Sequence, residues 1–334
     1  MPKIRYVNLS VKDKKLRQSY IKSLEKIFDH GRFILGPEVS LLEKKLAKFC
    51  KRKYAVATGS GTDALFLAVK ALGITNEDEV ITTPMSWVSS TNAIAVNGAK
   101  PIFADIKDDL NIDENKIERL INKKTKAILF VNFTGKICEV SALKKIAKKH
   151  KLKLIEDAAQ SFGSKKNNEP SGSFGDISCL SLNPMKVLSS LGEAGLVLTD
   201  DKKIYEKVKI LRYAGTVNKE NCHIPSLNFK IDTIQAAFIL NNFKNLNQKI
   251  LLRNKNAEYY RKKLISKIKL PKVLKNEKHS FYSFTIIAPN RDKLKNYMFK
   301  KGIETKIQHP ILIPNQKAYK FNVNKDKLSN AKKL

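Results

Sequence analysis

The chain has 334 residues, 42% hydrophobic and 28% charged, an ordinary balance for a protein with a large buried core and room for two domains. No apolar run approaches the roughly 18 residues of a membrane span, and no signal-peptide core opens the sequence, so no membrane role and a cytoplasmic location are expected. The formal net charge of +33 raises nucleic-acid binding, but the lysines are spread through every predicted helix rather than gathered in one block, and they read as solvated faces whose positive field attracts anionic substrates. The four cysteines (Cys50, Cys138, Cys179 and Cys222) have neither metal-site nor disulfide-framework spacing and read as reduced thiols, with no metal site expected.

Leu16, Tyr20, Leu24, Ile27 and Phe28 recur at helical spacing over 15–29. Gly36-Pro37 then opens a second helix with Val39, Leu42, Leu46 and Phe49 on one face. A short buried strand at 54–57 runs through Thr58-Gly59-Ser60-Gly61-Thr62 into a helix over 63–72. Strand, glycine turn and helix start make a ready anion site, because unpaired N–H groups and the helix dipole point there. A plain turn capped by Ser60 or Thr62 is the simpler alternative.

A strand at 79–82 leads past Pro84 to Trp87, the only tryptophan, and a helix up to Gly98. Strands follow at 101–105 and 126–131, with a helix near 115–121 between them and a helix over 140–150 after them. A buried strand at 152–155 ends in Glu156-Asp157, with Gln160 just beyond. The segment 165–175 reads as a polar loop, and a strand at 177–182 leads to a turn carrying Lys186. Short links between alternating β and α segments predict right-handed crossovers and a mainly parallel sheet. The Gly61 turn, Trp87, Asp157 and Gln160 all follow predicted strands, so they are expected to converge at the carboxyl edge, where such sheets bind ligands.

A surface helix over 201–213 follows, then an irregular loop over 214–230 and helices over 231–246 and on to about 268. Beyond Pro271 the pattern becomes α+β: a strand near 281–287, a helix over 291–301 and a strand over 303–307. The end, 325–334, is polar and lysine-rich.

A carboxylate at one strand end and a lone loop lysine after the next are what pyridoxal phosphate chemistry requires. The segments G-S-G-T-D-A-L (59–65), E-D-A-A-Q-S-F-G (156–163), S-x-x-P-x-K (181–186), G-E-A-G (192–195) and Q-A-A (235–237) resemble, as a set and in order, the nucleotide-sugar aminotransferases of the DegT/DnrJ/StrS type. The resemblance covers essentially the whole chain. It implies an α/β, fold type I, aspartate-aminotransferase-like architecture, with a large cofactor-binding domain over 1–245 and a smaller α+β domain over 246–334 that appears truncated.

The same resemblance implies a homodimer with a shared active site. It implies pyridoxal 5'-phosphate as cofactor, L-glutamate as amino donor and a nucleotide-linked keto-sugar as acceptor, serving surface-polysaccharide or amino-sugar biosynthesis. Lys186 would carry the cofactor and move the proton, and Asp157 would keep the ring nitrogen protonated. Gln160 would bond the ring hydroxyl and Trp87 would stack on the ring. Gly61, Thr62, Ser181 and Asn228 of the partner subunit would hold the phosphate. Asn132 stands where many relatives have histidine. Ser226, Leu227 and Lys230 depart from the family's Gly-Tyr-Asn-x-Arg, and lysine is not a free exchange for arginine in a forked bond. His279 and His309 fall near substrate-region positions, although each alone reads as structural or surface. A related sugar dehydratase or amino-acid lyase, a non-catalytic regulatory homologue and, from charge alone, a nucleic-acid binder are the rival readings.

Overall fold

The computed structural model describes residues 2–218, 220–264, 268–319 and 328–333. Helix α1 (Lys14–His30) begins where the Asp13 carboxylate accepts from the N–H groups of Lys15 and Leu16, and ends at Gly31 with φ 64°. Helix α2 (Pro37–Phe49) opens on proline, whose missing N–H is no loss in a first turn. Then come β1 (Tyr54–Thr58), α3 (Gly61–Ala71), β2 (Glu79–Thr82), α4 (Ser89–Val96), β3 (Lys100–Phe103), β4 (Thr125–Val131), α5 (Val140–Lys149) and β5 (Lys153–Asp157). A short pair, β6 (Lys165–Lys166) and β7 (Glu169–Pro170), precedes β8 (Ile177–Ser181), β9 (Gly195–Thr199) and α6 (Lys202–Arg212). The remainder comprises β10 (Thr216–Val217), β11 (Asn221–Cys222), α7 (Thr233–Phe243), α8 (Leu246–Lys263), β12 (Glu277–Lys278), α9 (Arg291–Lys300) and α10 (Ser329–Lys333).

Seven strands form one sheet in the order β1-β9-β8-β5-β4-β2-β3. Its pairs are parallel from β3 through β8, whereas β9 runs antiparallel to both neighbours. The carboxyl ends of β1, β2, β4, β5 and β8 therefore share one edge. Side chains alternate between faces, as the pleat requires. Val56, Ile155 and Val197 face the cluster under α3 and α6, whereas Ala55, Leu180 and Leu198 face the cluster under α2 and α7. Both faces are covered, which is why the strands read as continuous apolar runs. The end of the chain returns to the first cluster: Leu312, Ile313, Tyr319, Leu328 and Ala331 lie in it. The Asp105 carboxylate accepts from the N–H groups of Asn330 and Ala331 and so caps α10. Residues 320–327 and 334, which include part of the lysine-rich end over 325–334, lie outside the described residues.

The structure departs from several sequence expectations. Strand β9 was not expected; its five residues are all buried between β1 and β8, so it shows no alternation. Among the described residues no strand forms over 281–287, where Ile287 alone pairs, in an isolated bridge with Lys269. Phe281 at φ 48° breaks the extended run, and the carbonyls of Phe281 and Tyr282 accept from Arg253 instead of a ladder. Among the described residues, 303–307 shows a single isolated bridge, of Ile303 with Ile4, with the Glu304 N–H donating to the Ile4 carbonyl. The helix near 115–121 is two 3-10 turns, Glu114–Lys116 and Glu118–Leu120. Helix α8 stops at Lys263, and 265–267 lie outside the described residues. The segment 165–175 is polar in composition yet buries Lys166, Ser171 and Phe174.

Candidate active site

The doublet at the end of β5 divides its work between the two faces of the strand. Glu156 is fully buried, and its carboxylate accepts five hydrogen bonds, from Asn132 Nδ2, Ser171 Oγ, Gly172 N, Phe174 N and Ser178 Oγ, at 2.8–3.2 Å. It is a structural anchor that ties the 171–174 loop to the sheet. Asp157, 3% exposed, faces the other way. Its Oδ2 accepts from Ser90 Oγ at 2.7 Å and its Oδ1 from the Ala159 N–H at 3.0 Å. Burial raises the Asp157 carboxyl above its ordinary value, opposed by those donors and by the charge of Lys186.

Lys186 lies in the turn after β8, where its N–H donates to the Asn183 carbonyl at 2.9 Å. Burial pushes its amine below the usual lysine range, against the attraction of Asp157 and Glu193. Carboxylate and amine are thus each shifted toward the uncharged form by lost water, and each partly restored by the other. A desolvated lysine of this kind is the sort that enzymes use as a nucleophile and base.

The glycine turn meets the end of β8 directly. A Cβ at Gly61 would lie 2.6 Å from the Ser181 Cβ, so only glycine fits. Ser60 caps α3 by accepting from the Asp63 N–H, leaving the first N–H groups of the helix to a ligand, since they have no intrahelical partner. The Thr62 hydroxyl pairs with Ser89 Oγ at 2.8 Å. On the opposite side Gln160 is buried, and its Oε1 accepts from the Thr134 N–H at 2.8 Å. That fixes the amide so that its NH₂ end remains for a ligand. Trp87 is 60% exposed, and the His309 ring lies 6.4 Å from it between centroids.

Asp157 and Lys186 are thus electrostatic neighbours, and Gly61 lies against Ser181, all at one edge. Asn228 stands apart: it is exposed, and its Oδ1 accepts from the Lys230 N–H at 3.3 Å. Lys230 rests over the Tyr213 ring at 4.2 Å. Asn132, in place of the usual histidine, serves Glu156 and accepts from the Cys138 N–H, a structural use. The sequence reading overlooked Ser90 and Tyr282. The S-W-V-S-S run after β2 was the available signal for Ser90. Nothing local marks Tyr282, whose ring centroid lies 4.7 Å from Lys186 Nζ. His309, which alone reads as structural or surface, is half-buried and packs beside Phe133 at 5.5 Å.

The sequence pattern of the DegT/DnrJ/EryC1/StrS aminotransferase family matches residues 14–334. The chain belongs to that family. A "Pleiotropic regulatory protein" of Geobacillus stearothermophilus is 34% identical over 91% of this chain and 83% of its own length. A "UDP-2-acetamido-2-deoxy-3-oxo-D-glucuronate aminotransferase" of Pseudomonas aeruginosa is 31% identical over 94% of this chain and 88% of its own. Among solved structures, S. venezuelae DesV in complex with a ketimine intermediate superposes with a TM-score of 0.95 at 29% identity, covering 99% of this chain and 91% of that one. The ntda protein of Bacillus subtilis, solved with bound cofactor PMP, gives 0.86 at 30%, covering 95% and 74%. The fold of this family member is that of the fold type I pyridoxal phosphate aminotransferases.

Proposed function

We propose that this pyridoxal phosphate-dependent aminotransferase moves an amino group from L-glutamate to a nucleotide-linked keto-sugar, for amino-sugar or surface-polysaccharide biosynthesis in the cytoplasm. The observation that carries the reading is that the Lys186 amine and the buried Asp157 carboxylate, from the turn and strand ends of neighbouring β8 and β5, lie close enough to feel each other's charge at the edge where the strands end.

The residues present fit the cofactor. The buried Asp157 carboxylate, ionised opposite a pyridine nitrogen, would keep that nitrogen protonated, since an opposite charge at contact distance favours the protonated ring. The bare backbone at Gly61, the hydroxyls of Thr62 and Ser181 and the start of α3 suit a phosphate. The Gln160 NH₂ would donate to the ring hydroxyl, and the exposed face of Trp87 would cover the ring. When bound, pyridoxal phosphate supplies an electron sink for the pair left at the donor's α-carbon. Lys186 would move the proton between the donor's α-carbon and the cofactor, as base and then acid, and would make the same transfer in reverse at the acceptor carbon. Ser90 holds Asp157 in place throughout.

A homodimer belongs to the same proposal. Asn228 of the partner subunit would complete the phosphate site, and a second copy would cover the exposed apolar side chains of Phe28, Phe33, Ile34 and Leu41. So does a division into 1–245 and 246–334, with 312–319 crossing back onto the large unit. Among the described residues no helix is long and apolar enough to cross a membrane.

The test is visible absorbance of the purified protein with added pyridoxal phosphate, repeated after glutamate. A band that fades with glutamate, and is missing in Lys186→Ala, is expected. A band that glutamate leaves untouched would instead favour the regulatory reading suggested by the name of the G. stearothermophilus relative.

A further inference from the structure

Lys186 is flanked by a corner of the chain that the cofactor reading leaves unused. Residues 279–283 turn through Phe281 at φ 48°, a left-handed conformation disfavoured for a bulky side chain. The corner is held from several sides. His279 Nδ1 accepts from the Phe281 N–H at 2.8 Å, and Ser164 Oγ accepts from the Ser280 N–H at 2.9 Å. Asn254 donates to the His279 carbonyl at 2.9 Å, and Arg253 Nη1 donates to the carbonyls of Phe281 and Tyr282 at 2.7 and 3.2 Å. The Phe281 ring stacks on His279 with centroids 4.2 Å apart. A strained residue persists only where its surroundings over-determine it, and such residues gather at functional sites.

What the corner presents is Tyr282. Its ring packs against the cluster that contains Leu182, Val187 and Leu188, and its face lies 4.7 Å from Lys186 Nζ. The other groups facing the lysine are Asp157 from β5, Glu193 from the turn before β9 and His309 from the returning segment. Arg253 and Tyr6 face Tyr282 in turn. An aromatic face attracts an ammonium and not a neutral amine.

We propose that Tyr282 is a positioning residue for the lysine: its ring receives the Lys186 ammonium and fixes where the amine rests whenever it is not joined to the cofactor. This rests on the reading of Lys186 as the cofactor lysine. The strained corner is then the device that sets the ring at the right depth and angle, which a regular strand there would not do.

The test is trace labelling of the full-length, cofactor-free protein with acetic anhydride across a pH series, reading the Lys186 peptide by mass spectrometry. In Tyr282→Leu the titration midpoint of Lys186 falls by about one pH unit, making the amine about tenfold more reactive near neutrality. Tyr282→Phe keeps the native midpoint. Phenylalanines with increasing ring fluorination at 282 lower it stepwise with little change of shape, so a poorly folded leucine variant does not decide the matter. A midpoint unmoved by leucine and by fluorination overturns the proposal. So does one that rises, which is the sign of water entering where the ring had only packed. Labelling needs no turnover, so the ring contact and the lysine's role in transamination can fail separately.

Discussion

The sheet edge and the segment over 279–313 bring side chains to Lys186 by different physical means. At the sheet edge, register alone does the placing. Asp157 and Ser181 stand at the ends of neighbouring parallel strands, and Gly61 follows the end of another. In the later segment the described residues form no ladder, only isolated bridges at Ile287 and Ile303. Tyr282 and His309 are set by two corners in the left-handed region, at Phe281 and at His309 itself, with φ 48° and 51°. Backbone carbonyls there are held by the side chains of Arg253 and Asn254. Regular structure places groups cheaply and legibly; special corners place them at angles that regular structure does not reach, at a cost in strain.

Four experiments break or sharpen this contrast. The largest effect is expected for Lys186→Ala, which should reduce amino transfer at least about a thousandfold while leaving the circular dichroism spectrum unchanged. Residual transfer near the native rate would remove the sheet edge from the chemistry. Next is Glu156→Ala, on the reverse face of the same strand. Stranding its buried donors should cost about 3–5 kcal/mol in urea unfolding, a loss of stability rather than of specific chemistry. A small change would mean that water enters and serves those donors.

The third addresses the later segment. Burial depresses His279 to about 3 and His309 to about 4, with lysine charges adding to the effect. The unfolded chain therefore binds these protons first, so their contribution is full above the ordinary value of 6.5 and is lost as pH falls toward 4 and then 3. Unfolding free energy should drop below pH 6.5 by at most about 1.4 kcal/mol per pH unit per histidine, and His279→Gln should flatten that slope. A slope unchanged by the substitution would assign the acid sensitivity elsewhere.

The smallest effect is expected at Asp157. Its carboxyl is raised, so the folded cofactor-free chain holds that proton more firmly than the unfolded chain, and stability declines as pH rises through the raised value. Asp157→Asn should leave the cofactor-free protein as stable as the native one or about 1 kcal/mol more stable at neutral pH, while weakening cofactor retention. Paired thermal melts with and without pyridoxal phosphate measure both. An asparagine variant that melts earlier without cofactor would show that the Ser90 and Ala159 bonds outweigh the burial.

By itself the sequence determined the alternation of strands and helices, the glycine turn, the E-D doublet and the Lys186 loop. Each is a local pattern: apolar runs of five, a cap, a glycine with nowhere to put a Cβ. Tertiary structure decided what no window contains. It inserted Gly195–Thr199 antiparallel between β1 and β8, because an apolar run declares burial but not direction. It turned Glu156 inward and Asp157 toward Lys186, because pleating sends neighbours to opposite faces and only the assembled sheet says which face is which. It brought Tyr282 to Lys186 and His309 to Trp87 across gaps of 96 and 222 residues (282 − 186; 309 − 87), since such contacts depend on how the chain closes on itself.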